Sequence, residues 1–117
     1  MENFGYEKLD VYRCAMQFMQ AADALIEKLP KGYAHLADQL RRASLSVPLN
    51  IAEGSAKRTS TERMRYFEIA RASAIECSAV INCCLSLQLA DKALLSTLRS
   101  LVLRIVQMLS KLAPRTR

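Results

Sequence analysis

Glu53 and Glu76 are the first residues to test for chemistry, because paired carboxylates can act as general acid and base or hold metal ions. Neither has the company such work needs. No histidine, metal cluster or nucleophile with its base stands at usable spacing, and a di-metal carboxylate bundle would want Glu-x-x-His pairs that the lone His35 does not make. The four cysteines, Cys14, Cys77, Cys83 and Cys84, contain no Cys-x-x-Cys and fall within helical patterns. There free cysteine behaves as a small buried hydrophobe. Adjacent Cys83 and Cys84 point to different faces of a helix, which places one in the core and the other at an edge or interface. A structural network is expected of the carboxylates rather than an active site, with no cofactor, no metal and no enzyme.

The polar chemistry concentrates between Gln39 and Arg58, QLRRASLSVPLNIAEGSAKR. At about 100° per residue, Gln39, Arg42, Ser46, Asn50 and Glu53 follow one line beside an apolar stripe. Arg41 points away, toward solvent. A polar ladder bordering a core must find partners, since an unpaired buried polar group costs ~1–3 kcal/mol. Ser73 and Glu76, three apart on the following helix, are placed to supply them. Arg42 is expected to pair with Glu53 or Glu76, or to bridge them, fixing the register between helices or subunits.

Cations carry the other chemistry. The formal charge is +6 and is unevenly spread. Residues 1–40 hold four Lys/Arg against six Asp/Glu, residues 41–117 thirteen against five, and no acid follows Asp91. One basic group, Lys57, Arg58, Arg63 and Arg65, sits beside Tyr66, which reads as a rim tyrosine before a ring that stacks on a base. A second, Arg99, Arg104, Lys111, Arg115 and Arg117, runs along the last helix and tail. Such polarity suits a polyanion, phosphate backbone before anionic membrane. No RNA-recognition, KH or zinc-finger signature accompanies it. Contact with RNA or DNA would therefore be backbone-directed, salt-sensitive and weakly sequence-specific.

Four helices must position these groups. The first, from about Leu9 to Leu29, carries Val11, Ala15, Phe18, Ala22, Leu25 and Leu29 at alternating steps of four and three, a bundle seam. Pro30 ends it. The second, about Tyr33 to Glu53, has Leu36, Leu40, Ala43, Val47 and Ile51 as its stripe, and Pro48 inside it removes a donor. Gly54 is expected at C′, in the left-handed conformation that closes a helix. The third opens on Thr59 and Glu62 as a capping box and buries Phe67, Ala70, Ala74, Cys77, Ile81 and Cys84. The fourth runs from about Lys92 to Leu112, with Asp91 as N-cap, Pro114 as stop and Leu94, Leu98, Leu101, Ile105, Met108 and Leu112 as seam. Leu95, Val102, Leu103, Val106 and Leu109 widen its apolar arc, so either this helix is central or a second face meets another subunit.

Length and composition agree. The chain has 117 residues, 51% of them hydrophobic, with three Gly and three Pro. This favours one domain, residues 1–117, built as an all-α, antiparallel up-down-up-down four-helix bundle. Glu2 and Glu7 interrupt any signal peptide, and Asn82, Ser86, Gln88, Arg99 and Arg104 interrupt the apolar runs. A cytoplasmic protein without a membrane partner is expected.

Four segments carry a resemblance: L-D-V-Y-R at Leu9–Arg13, D-Q-L-R-R-A at Asp38–Ala43, S-V-P-L-N-I-A-E-G at Ser46–Gly54 and F-x-I-A-R-A-S-A-x-E-C at Phe67–Cys77. Over nearly its whole length the chain resembles the four-helix-bundle proteins encoded within intervening sequences of bacterial 23S ribosomal RNA genes. That family is similar to the accessory variability proteins of diversity-generating retroelements. The resemblance implies a ring-like homopentamer; its retroelement relatives bind nucleic acid on a positive surface and dock a reverse transcriptase. Arg41, Arg42, Pro48, Asn50, Glu53, Gly54, Phe67, Ala70, Ser73 and Glu76 match recurring positions, which look like fold and assembly residues. Ala72 departs from the glycine often found there.

Two functions are thus expected in order. The first is an oligomeric nucleic-acid-binding protein using Lys57, Arg58, Arg63, Arg65, Arg99, Arg104 and Lys111, with Leu103 and Val106 helping assembly, and serving as accessory to a reverse transcriptase or another RNA-handling protein. The second is a structural adaptor that binds a protein partner and no nucleic acid.

Overall fold

The computed structural model describes residues 1–113, and among them the helices are a 3-10 turn, Gly5–Lys8, followed by α1 (Asp10–Lys28), α2 (Ala34–Ala56), α3 (Ser60–Ser86) and α4 (Lys92–Leu112). Pro114, Arg115 and Arg117 lie outside the described residues. Each helix packs on its neighbours in a closed cycle: α1 on α2, α2 on α3, α3 on α4, and α4 back on α1. The diagonal pairs stand farther apart, joined through the shared core. The fold is the all-α four-helix bundle.

Hydrogen bonds between helices fix the direction of packing. Arg71 Nε donates to Ser110 Oγ (2.9 Å), and eleven residues further along α3 Asn82 Oδ1 accepts from Arg99 Nε (3.3 Å), eleven residues earlier on α4. Between α2 and α3, Ser46 meets Ser73 and Gln39 meets Glu76, again in opposite directions. Neighbouring helices are antiparallel. One end of the bundle therefore gathers the start of α1, the end of α2, the start of α3 and the end of α4.

The core follows the sequence stripes closely on α1 and α3. Val11, Ala15, Phe18, Ala22 and Leu25 are buried, joined by Cys14 and Ile26, and all six expected positions of α3 are buried with Val80. Burying a side chain such as Phe18 or Leu25 contributes about 1.5–3 kcal/mol each. On α4 the seam turns by one position. Leu95, Leu98, Val102, Ile105 and Leu109 are buried, whereas Leu94, Leu101 and Met108 are half-buried and Leu112 is exposed. The cause is that α4 wedges between α3 and α1, so the middle of its wide arc goes deepest and both edges are shared.

Gly54 is not the end of α2. It lies inside the helix and is buried; among glycines a left-handed φ occurs at Gly32, in the α1–α2 turn. A Cβ on Gly54 would stand 2.9 Å from Phe67 Cε1 and 3.0 Å from Tyr66 Cβ. Glycine is needed there because α2 and α3 approach too closely for a side chain. The α2 helix also continues through buried Pro48 to Ala56. At the start of α3, Thr59 Oγ1 accepts from the Glu62 N–H (3.2 Å), but the Glu62 carboxylate returns to the Thr59 hydroxyl (3.0 Å) rather than to its backbone. Asp91 occupies the N-cap position of α4 without a side-chain bond.

By length and composition α3 and α4 would each be able to cross a membrane. In the fold each turns one face toward neighbouring helices, with 33% of the apolar window of α3 and 28% of that of α4 buried.

Candidate nucleic-acid interface

Antiparallel packing brings Lys111 of the second basic group to the end that holds the first, because the α2–α3 joint and the C-terminal turns of α4 share it. Lys111 lines a groove there with Leu9 and with Asp10 and Val11 of α1. The 3-10 turn packs on α1 and α2 at the same end. Lys8, Arg13, Lys57, Arg58, Arg65 and Lys111 thus form a basic pole.

Within that pole the cations do different work. The Arg63 guanidinium donates to the carbonyls of Lys57 (3.1 Å) and Arg58 (3.0 Å) and to Ser60 Oγ (3.2 Å). It therefore holds the joint that carries Lys57 and Arg58, and satisfies carbonyls beyond the end of α2. Lys57 pairs with Glu53 at 3.2 Å and lies 5.1 Å from the centre of the Tyr66 ring. The Glu53 hydrogen bond, then Tyr66, raise the Lys57 pKa despite some desolvation. Covered by Lys57 on one side and packed at its Cβ beside Gly54, the half-buried Tyr66 is a rim tyrosine. Arg58 and Arg65 are exposed and make no side-chain bond among the described residues.

The second basic group divides. Arg99 sits at the other end of the bundle, bonded to Asn82, and lines a groove with Ile75, Leu103 and Val106. Arg104 faces α1, close enough to Cys14 to draw its thiol pKa down against the larger upward push of burial. Arg71, which charge alone did not single out, is bonded to Ser110.

The polar ladder runs along the seam between α2 and α3. Gln39 is its relay: its Nε2 donates to Glu76 while its Oε1 accepts from Arg42 at 2.6 Å. Arg42 therefore reaches Glu76 through an amide and pairs directly with neither carboxylate. Glu53 is instead satisfied by Lys57, one helical turn away. Lower on the same seam, Ser46 Oγ and Ser73 Oγ share a hydrogen bond (2.8 Å), and Asn50 Nδ2 donates to the Ser46 carbonyl (2.8 Å) and hydroxyl (3.0 Å). Among the described residues no buried side-chain polar atom lacks a partner, and no His/Cys/Asp/Glu cluster fits a metal ion.

The cysteines separate as their positions require. Cys14, Cys77 and Cys84 are buried and Cys83 is exposed. Burial, helped by the Glu76 charge, pushes the Cys77 thiol up to about 12.

Comparisons agree with this architecture. Among curated proteins none matches the sequence. The solved structure of a protein of unknown function from the S23 ribosomal protein family of Bacteroides thetaiotaomicron VPI-5482 superposes with a TM-score of 0.83. That likeness covers 90% of this chain and 99% of the other at 15% identity, which establishes the fold alone. The profile of the 23S rRNA-intervening sequence protein family matches residues 7–111. The match spans α1 to α3 entire and α4 to its last turn, so the chain belongs to the 23S rRNA-intervening sequence protein family.

Proposed function

We propose that this protein is a non-enzymatic homo-oligomer that binds RNA or DNA through its basic pole. The observation that carries the reading is the antiparallel topology, which gathers Lys57, Arg58, Arg65 and Lys111 from distant parts of the chain at one end. Arg104 adds to it from the α1 side, and Arg63 acts by holding the joint. Arg99, at the opposite end, belongs to a different surface. The family takes its name from 23S rRNA, which makes RNA the first polyanion to try. Binding of this kind is carried by phosphate contacts and falls steeply with salt. Repeating the pole around an assembly would raise avidity.

Self-association is supported by apolar side chains that one protomer leaves open. Leu103 is 53% exposed and Leu49 58%, with Leu45 and Ile75 also exposed. Val106 is half-buried and shares a groove of about 170 Å³ with Ile75, Val102 and Leu103. The excess on α4 is therefore mostly spent inside the bundle, and α2 supplies as much open surface as α4. A pentamer is the stoichiometry the family resemblance implies, and a reverse transcriptase is the partner implied by its retroelement relatives.

A protein-binding adaptor is favoured by one feature, a groove of about 250 Å³ between α1 and α2 lined by Met19, Ile26 and Leu45 with Asp23 and Arg41 at its rim. Fluorescence anisotropy with labelled RNA and DNA at low and at physiological salt decides between the two. Absence of binding at low salt removes the nucleic-acid reading, and a pull-down that survives nuclease treatment supports the adaptor.

A further inference from the structure

The basic pole carries surface aromatics as well as cations. Phe4, Tyr6 and Tyr12 are clustered there by the 3-10 turn. The Phe4 and Tyr6 rings stack at 5.7 Å with an interplanar angle of 19°, and Tyr6 meets Tyr12 edge-on at 4.9 Å. The turn that presents them is tied down. Phe4 N–H donates to Glu7 Oε1 (2.7 Å), and the Glu7 carbonyl accepts from Arg13 Nε (3.2 Å). Phe4 is nevertheless 68% exposed. The outer face of this ring, backed by a second ring, is open to a ligand.

The charges around it suggest which occupant. Lys8 and Arg13 flank the turn, and α2, on which the turn packs, ends one residue before Lys57 and Arg58. Asp10 is paired with Arg13 at 3.8 Å and Glu53 with Lys57, Glu7 is held by the Phe4 N–H, and Glu2 stands two residues before Phe4, so of these cations Lys8 and Arg58 are left without an acidic partner among the described residues. An apolar ring among cations matches a ligand with flat apolar faces on a polyanionic backbone. A duplex hides its base faces in the stack, whereas a single strand offers them.

Resting on the nucleic-acid reading above, we infer that the pole takes single-stranded nucleic acid, with Phe4 stacking on a base and Lys8 and Arg58 holding the adjoining phosphates. Base stacking of this kind tolerates any sequence, because every base has a π face.

The test compares three probes of equal length by fluorescence anisotropy at low salt: a single-stranded oligonucleotide, its duplex, and an abasic single strand. The single strand with bases is expected to bind tightest. Phe4→Ala should weaken that probe alone, by roughly 5- to 100-fold, and Phe4→Trp should keep it. Phe4 lies on the surface, so both variants should retain the wild-type circular dichroism spectrum and melting curve. Equal binding of all three probes, or a Phe4→Ala variant indistinguishable from wild type, overturns the inference and leaves backbone-directed binding standing. No binding of any probe removes both. Loss of self-association in Phe4→Ala by light scattering, with oligonucleotide affinity unchanged, makes the ring a contact between copies and overturns it too.

Discussion

Gly54 of α2 lies directly against the Phe67 ring of α3, with room for a hydrogen and none for a methyl group: a Cβ would stand 2.9 Å from Cε1. The contact lies in the last turn of α2, three residues before Lys57. Gly54→Ala should destabilise the fold by about 1–3 kcal/mol through overpacking, although alanine is the better helix former. Urea unfolding checks this. Gly54→Ala combined with Phe67→Leu, which removes the obstructing ring edge, should recover part of the loss; a Gly54→Ala variant as stable as wild type would show that the approach is not tight.

Thiol reactivity should follow burial. At pH 8 a small alkylating reagent should label Cys83 in the folded protein, while Cys14, Cys77 and Cys84 react only after unfolding, because the thiolate is the reactive species and burial disfavours it. Intact-mass and peptide mass spectrometry read the result. Rapid native labelling of Cys77 would contradict its place in the core.

The fold was far more legible in the sequence than the roles of its surface groups, and the reason differs from residue to residue. The stripes of α1 and α3 were readable because each has one narrow buried face, so period and burial coincide. On α4 nearly every candidate position is apolar, and only the neighbours reveal that Leu95, Val102 and Leu109 lie deepest. Gly54 looked like a helix stop because a closing glycine and a packing glycine leave the same trace in one sequence. Arg63 looked like a free cation because charge says nothing of the Lys57 and Arg58 carbonyls waiting nearby. The 3-10 turn that displays Phe4 is four residues long, too short to leave a period.

Arg63 and Arg65 should therefore part company in binding experiments. Arg65→Ala removes an exposed cation, so it should weaken nucleic-acid affinity severalfold and flatten the salt dependence by about one phosphate contact, with little change in melting temperature. Arg63→Ala frees the joint and should lower thermal stability as well. Anisotropy titrations over a salt series, paired with thermal melts, separate the two. Equal effects on both readouts would place Arg63 on the ligand with Arg65.

The relay through Gln39 predicts an asymmetry between its two partners. Gln39→Leu strips the half-buried Glu76 carboxylate of its donor and should cost about 1–3 kcal/mol, the usual penalty of an orphaned polar group. Arg42→Met removes an exposed guanidinium bonded to the amide alone, so its loss should be small. In the double variant Arg42→Met/Glu76→Leu the two losses should add to within about 0.5 kcal/mol if the relay is weakly coupled, and exceed or fall short of that if Arg42 fixes the amide's orientation. Gln39→Leu/Glu76→Leu should be more stable than Gln39→Leu alone, because it removes the stranded charge together with its partner.

Stability should fall at high pH, with Cys77 contributing much of the slope. Its thiol is pushed up to about 12 in the folded protein by burial and by Glu76, so the folded state keeps a proton the unfolded chain gives up near 9. Where the folded state binds more protons, raising the pH favours unfolding. The stabilisation is complete below the unfolded pKa and is lost as the pH climbs from about 9 toward 12, a drop on the order of 2 kcal/mol by pH 11 at one pKa unit per ~1.4 kcal/mol. Cys14, Cys84 and Tyr12 are raised by burial too and act in the same direction. Urea midpoints measured from pH 7 to pH 11 should therefore be flat to about 8.5 and then decline. Cys77→Ala, less stable throughout because it leaves a small cavity, should decline less steeply; parallel curves for the two proteins would mean that the thiol ionises as readily inside the bundle as outside it.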